Sequence, residues 1–129
     1  MSEKKKILIV EDEADVADEL AVRLEATNWD VIIAIDGEQG LKMARNGNPN
    51  LILLDVMLPK LNGYQICREL KKEATTKDIP IIMLTAKVQE SDKFWGKETG
   101  ADDYVTKPYD IQLLIGKIRD FLEAKNDAG

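Results

Sequence analysis

Residues 51–55 are Leu-Ile-Leu-Leu-Asp, four consecutive apolar residues followed by a carboxylate. A continuous apolar run of this length is typical of a strand that is buried on both faces of a parallel sheet. Similar runs occur on either side of it along the chain, at 7–10, 31–35, 81–84 and, more weakly, 104–105. The pattern therefore predicts five short strands.

Helical periodicity fills the gaps between these runs and the segment after the last one. Five helices are predicted, and the residues that indicate them are Val16, Leu20 and Leu24 with Ala17 and Ala21; Leu41 and Ala44 after Gly37; Tyr64, Cys67, Leu70 and Lys71; residues 91–99, with Ser91 as N-cap and Gly100 just past the end; and Ile111, Leu114, Ile115, Ile118 and Leu122 after Asp110 as N-cap. Five β-α units in succession predict an α/β fold with helices on both faces of one sheet.

Composition narrows the class of protein. A length of 129 residues suits a single domain, 1–129, with no output domain visible. The net charge of -6 disfavours direct nucleic-acid binding, and the absence of histidine excludes mechanisms that need a local His base or ligand. The single cysteine, Cys67, is expected to be a packed side chain. With no apolar run approaching the ~20 residues of a membrane span and no signal-like N-terminus, we expect a cytoplasmic location.

Polar residues follow four of the five runs. Glu11 and Asp12 come after the first, Asp55 ends the third, Thr85 ends the fourth and Lys107 follows the fifth. Each has a bland explanation, as a helix cap, a turn residue, an ordinary strand residue or a solvated loop lysine. In an open parallel sheet, however, these points share one edge, where such folds bind ligands. The four positions together therefore predict a functional site.

The charges suggest the chemistry of that site. Close carboxylates repel one another and need a counter-ion, and an all-oxygen cluster suits a hard cation such as Mg²⁺. An oxygen of Asp55 can then attack a phosphorus atom and form an acyl phosphate. Lys107 supplies a positive charge to the transferred group and Thr85 supplies a hydroxyl donor. Phosphoryl transfer needs mainly positioning and charge, so the lack of histidine is no obstacle.

Four motifs in this order resemble those of response regulator receiver domains, which act in two-component phosphorelay signal transduction. They are Ile7-Leu8-Ile9-Val10-Glu11-Asp12-Glu13, Leu53-Leu54-Asp55-Val56-Met57-Leu58-Pro59, Leu84-Thr85-Ala86 and Gly100-Ala101-Asp102-Asp103-Tyr104-Val105-Thr106-Lys107-Pro108. The resemblance covers about residues 5–123. It implies a flavodoxin-like fold with sheet order 2-1-3-4-5. It also implies that Asp55 takes a phosphoryl group from a sensor histidine kinase or a histidine phosphotransfer protein.

The resemblance also assigns roles to individual residues. Asp12 would be the more direct Mg²⁺ ligand and Glu11 would act largely through water. Met57 would be a further metal ligand through its backbone carbonyl. Lys107 would pair with the phosphate, and the backbone of Ala86 would donate to it. Thr85 would be the switch hydroxyl, Tyr104 the switch aromatic, and the Lys107–Pro108 peptide bond would be cis.

The output is expected to pass through the face made by the fourth predicted helix, the fifth strand and the fifth predicted helix. It would reach a downstream effector protein or an output domain outside this chain, and a homodimer that forms on phosphorylation is a further alternative. Asp102 and Arg119 could belong to a set of cross-dimer salt bridges. Leu113 and Trp95 on this face suggest instead a mainly apolar contact, unless both are core residues.

Three other functions remain to be weighed. A haloacid dehalogenase-type phosphatase also forms an aspartyl phosphate, but it needs an acid where this chain has Met57. A flavin mononucleotide binder would need a Ser/Thr/Gly-rich loop in place of Glu11-Asp12-Glu13. A receiver-like interaction module with little phosphorylation would normally lack a pocket residue. We expect no turnover on an external substrate, only promotion of the domain's own phosphorylation and dephosphorylation.

Overall fold

The computed structural model describes residues 4–58, 61–85 and 100–128. Its strands are β1 (Lys6–Val10), β2 (Asp30–Ala34), β3 (Leu51–Asp55), β4 (Ile81–Thr85) and β5 (Asp103–Thr106). They form one parallel sheet in the order β2-β1-β3-β4-β5. The predicted α/β class and the flavodoxin-like strand order are both confirmed.

The helices are α1 (Ala14–Glu25), α2 (Gly37–Asn46), α3 (Gly63–Lys72) and α4 (Ile111–Ala128). Asp36 caps α2, and Asn62 caps α3 in a reciprocal capping box with Gln65. Asp110 accepts the Gln112 N–H at 2.8 Å, which confirms it as the cap of α4. The helix predicted at 91–99, with Ser91 as its cap, lies outside the described residues.

The core consists of two apolar clusters, one on each face of the sheet. The first joins β1, β3 and β4 to α1 and α4, and the second joins the same strands to α2 and α3. Buried Cys67 belongs to the second cluster, as expected of a packed thiol. Within 4–58, 61–85 and 100–128, every helix is too short or too polar to cross a lipid bilayer.

Two details differ from the predictions for the strands. The second strand was predicted over 31–35 but ends at Ala34, and Ile35 is 50% exposed. β2 and β5 are only partly buried, unlike β1, β3 and β4. Both are edge strands, so one side of each lacks the neighbour that would cover it.

Asp102 and Arg119, which the sequence suggested for cross-dimer salt bridges, have partners within the chain. Asp102 Oδ2 accepts from Lys71 Nζ at 2.9 Å and from the Ile81 N–H at 2.8 Å. The guanidinium of Arg119 lies 6.0 Å from the centre of the Trp29 ring, a cation–π distance. Both side chains therefore have partners within the chain, and neither needs a second subunit to explain its charge.

Candidate functional site

An acidic group forms where β1 and β3 end side by side. Val10 pairs with Leu54, so Glu11 follows one strand as Asp55 ends the next. Glu11, Asp12 and Asp55 each offer a carboxylate oxygen within 4.8 Å of the other two. Glu11 and Asp55 are buried, whereas Asp12 is exposed. The structure thus brings together the three carboxylates that the sequence predicted.

Lys107 reaches this acidic group from the end of β5. Its backbone N–H donates to the carbonyl of Thr85 at 2.6 Å, which continues the pairing of β4 and β5 beyond the last ladder residue. Its Nζ lies 3.1 Å from Asp55 Oδ2 and 3.4 Å from Glu11 Oε1. The Lys107–Pro108 peptide bond is cis, as predicted.

Burial sets the protonation of Glu11. Burial is the largest cause that raises the pKa of Glu11, and the nearby charge of Asp55 adds to it, while the Glu13 N–H and Lys107 act in the opposite direction; together these effects raise the pKa to about 7. Burial alone would lower the pKa of Lys107, but its hydrogen bond and ion pair with Asp55, together with Glu11, outweigh that effect and raise it. The site therefore holds Lys107 charged and Glu11 partly protonated near neutral pH.

Asp55 uses both carboxylate oxygens. While Oδ2 contacts Lys107, Oδ1 accepts the Met57 N–H at 3.0 Å. The Met57 side chain is 73% exposed, so only its backbone is tied to the site. The Met57 side chain therefore takes no part in acid-base chemistry at the site.

Thr85 and Tyr104 share one face of the sheet. Met83 pairs with Tyr104 and Thr85 pairs with Thr106, and side chains alternate along each strand. Thr85 is buried, whereas Tyr104 is half-buried against the cluster on the α2–α3 side. Burial raises the pKa of Tyr104, with smaller contributions from Cys67 and Asp103. Ala86, the predicted backbone donor, lies outside the described residues, as does Trp95.

One residue near the site was not singled out from the sequence. Tyr109 packs against the cluster on the α1–α4 side. Burial raises its pKa, Lys107 opposes the shift, and Glu11, Glu19 and Asp55 add to it, so the phenol lies near the acidic group. The feature of the sequence that could have pointed to Tyr109 is its position two residues after Lys107.

A comparison with known protein families shows to which family this chain belongs. The response regulator receiver domain family matches residues 7–119. This chain belongs to the receiver domain family of two-component response regulators. Receiver domains of this family interact with histidine kinases and effector domains, and the phosphoacceptor switch predicted from the sequence is consistent with that membership.

Individual receiver proteins support the assignment. A probable transcriptional regulator of Porphyridium aerugineum is 46% identical over 98% of this chain and 51% of its own length. A receiver domain protein of Methanospirillum hungatei has a TM-score of 0.92 at 29% identity, covering 98% of this chain and 100% of its own. The receiver domain of a Pseudomonas aeruginosa sensor histidine kinase, whose active site cleft coordinates magnesium, has a TM-score of 0.86 at 28% identity, covering 94% and 99%. The chain spans about half the length of the curated relatives it matches.

Proposed function

We propose that this domain is a signalling switch that is reversibly phosphorylated on Asp55. The observation that supports this most directly is the buried Asp55 carboxylate, which contacts Lys107 at 3.1 Å and lies beside Glu11 and Asp12. Buried carboxylates are costly unless paired. Two buried carboxylates that share one lysine, with the exposed carboxylate of Asp12 beside them, suggest a site that exchanges charged ligands.

The residues present fit Mg²⁺. All the side-chain donors are carboxylate oxygens within 4.8 Å of one another. Mg²⁺ prefers oxygen ligands, so a group of carboxylate oxygens this close together suits it. Glu11, Asp12, Asp55 and the Met57 carbonyl would hold the ion, which would neutralise the pocket and attract phosphate.

The reaction proposed for this chain is a transfer between two side chains. An oxygen of Asp55 attacks the phosphorus of a phosphohistidine on a kinase or a phosphotransfer protein. The new O–P bond forms as the N–P bond breaks, and the electron pair returns to the imidazole nitrogen. Lys107 offsets the charge on the transferred group, and Thr85 and the backbone of Ala86 donate to its oxygens.

The proposed output is a shift in population between two forms. Thr85 moves toward the phosphoryl group, and Tyr104, on the same face of the sheet, moves inward. The altered face at β5 and α4 then contacts an effector protein or an output domain, or a second copy of the chain. The domain would work in the cytoplasm and would not turn over an external substrate.

The two main alternatives have less support. A phosphatase would need an acid-base group where Met57 extends a thioether toward solvent. A pure interaction module has no need of a pocket in which Glu11, Asp12, Asp55 and Lys107 are all retained.

The test is the intact mass of the protein after incubation with a small-molecule phosphodonor. The parent should gain one phosphoryl group only when Mg²⁺ is present, and Asp55→Asn should gain none. A parent that gains no mass from either a small-molecule donor or a phosphorylated histidine phosphotransfer protein would contradict the proposal.

A further inference from the structure

The first turn of α3 lies directly on the peptide that follows Asp55. A Cβ atom on Gly63 would stand 2.5 Å from the carbonyl oxygen of Asp55 and 2.8 Å from the Cα atom of Val56. Both contacts are with backbone atoms, so no change of rotamer could make room. Any side chain at this position requires either α3 or the Asp55–Val56 peptide to move.

Hydrogen bonds hold the backbone of Val56 on both sides of its Cα atom. The Val56 N–H donates to the carbonyl of Leu84 on β4 at 3.0 Å, and the Val56 carbonyl accepts the Gly63 N–H at 2.9 Å. The capping box of Asn62 and Gln65 fixes the first turn of α3. The end of β3 is therefore clamped between β4 and α3.

We propose that Gly63 is a positioning residue for Asp55, because its lack of a side chain allows this clamp to form. The inference rests on the proposed phosphoacceptor function. Asp55 Oδ1 accepts the Met57 N–H at 3.0 Å, so a shift of the clamped peptide would move the carboxylate and the Met57 carbonyl together. Gly63 would thus set the geometry of both the phosphoacceptor and one proposed metal ligand.

The experiment compares Gly63→Ala with Gly47→Ala, a matched crowding control. A Cβ atom on Gly47 would stand 2.6 Å from the carbonyl oxygen of Met43 at the end of α2. The carbonyl of Gly47 accepts from Lys6 Nζ at the start of β1, so this position lies at the end of the sheet opposite to Asp55. Gly116→Ala is the open-space control, since among the described residues no atom beyond its own helix lies within 4 Å of the new carbon. For each variant we would measure the urea midpoint, the Mg²⁺ dissociation constant and the rate of mass gain with a phosphodonor.

We expect Gly63→Ala to be phosphorylated about 10- to 100-fold more slowly than Gly47→Ala, because a misplacement of about 1 Å can cost that much. Its Mg²⁺ dissociation constant should also rise, whereas Gly116→Ala should match the parent. Equal rates and equal Mg²⁺ affinities in Gly63→Ala and Gly47→Ala would overturn the proposal.

If Gly63→Ala does not fold, two cap variants replace the comparison. Asn62→Ala loosens the first turn of α3 and Asp36→Ala loosens that of α2, and neither adds an atom. Asn62→Ala should then weaken Mg²⁺ binding and slow phosphorylation more than Asp36→Ala, and equal effects would overturn the role of Gly63. A parent that gains no mass would reject the phosphoacceptor function itself, and the Mg²⁺ comparison alone would then decide whether the clamp positions the site.

Discussion

The ammonium group of Lys107 lies 3.1 Å from Asp55 Oδ2, although the two residues are 52 positions apart in the chain. The same nitrogen lies 3.4 Å from Glu11 Oε1. A single lysine therefore partly neutralises two buried carboxylates before any metal ion or phosphate enters. This lysine competes with a metal ion for the carboxylates, yet it would pair with the phosphoryl group once that group is attached.

Replacing Lys107 should separate metal binding from phosphoryl transfer. We expect Lys107→Met to bind Mg²⁺ at least as tightly as the parent, because a competing cation is gone. Phosphorylation should slow about 100-fold, the usual cost of losing one preorganised charge donor. Calorimetry and intact mass measure the two effects. Lys117→Met, which breaks the ion pair with Asp103, is the control. Weaker Mg²⁺ binding in Lys107→Met would contradict this view of the site.

The raised pKa of Glu11 should make the metal-free protein less stable as the pH rises. The pKa of Glu11 is raised from 4.5 to about 7, with burial as the largest cause, so between these values the folded state holds a proton that the unfolded state has lost. The free energy of unfolding should therefore fall across this window, by up to about 3 kcal/mol.

Urea unfolding without metal at pH 5 and pH 7.5 measures this effect. Glu11→Gln cannot titrate and should show a flatter pH dependence. Apparent Mg²⁺ affinity in the parent should rise over the same window, because binding must displace the proton. An identical pH dependence of unfolding in the parent and Glu11→Gln would refute the assignment.

Asp102→Ala should destabilise the fold. Its carboxylate accepts from Lys71 Nζ and from the N–H of buried Ile81. Losing it leaves that N–H without its partner, at a cost of about 1–3 kcal/mol. Urea unfolding measures the change, with exposed Asp120→Ala as the control. Unchanged stability in Asp102→Ala would instead leave this carboxylate free for a role between subunits.

Tyr104 should report on the phosphorylated state through Thr85. With 19F-labelled tyrosine, the resonance of Tyr104 should shift when Asp55 is phosphorylated. The shift should disappear in Thr85→Ala and return in Thr85→Ser, which keeps the hydroxyl. A shift of the same size in Thr85→Ala would show that the two side chains are not coupled.

Leu113 and Leu114 are adjacent on α4 but have opposite surroundings, with exposures of 55% and 0%. Leu113→Ala should change stability by less than about 0.5 kcal/mol, whereas Leu114→Ala should cost about 2–5 kcal/mol. Sedimentation of the phosphorylated protein would then show whether Leu113 takes part in self-association. A large loss of stability in Leu113→Ala would make it a core residue and remove it from the proposed apolar surface.

Much of the fold was predictable because apolar runs and helical stripes are local features of the chain. The apolar run at 51–54, which Asp55 follows, predicted β3 correctly, and Asp110 was correctly identified as a helix cap. The second strand was predicted one residue too late, at 31–35 in place of 30–34, because Ile35 is apolar yet lies beyond the last paired residue of an edge strand. Local pattern cannot show which strands will lie at an edge.

The residue types at the strand ends were enough to predict an acidic site with a lysine, because all parallel strands end at one edge of the sheet. Only the tertiary structure showed that Asp55 Oδ2 contacts Lys107 Nζ, that Glu11 is buried with a raised pKa, and that Asp102 contacts Lys71. It also revealed the close approach of Gly63 to the backbone of Asp55. These features depend on distances between residues far apart in the chain, which are set by how helices pack on the sheet.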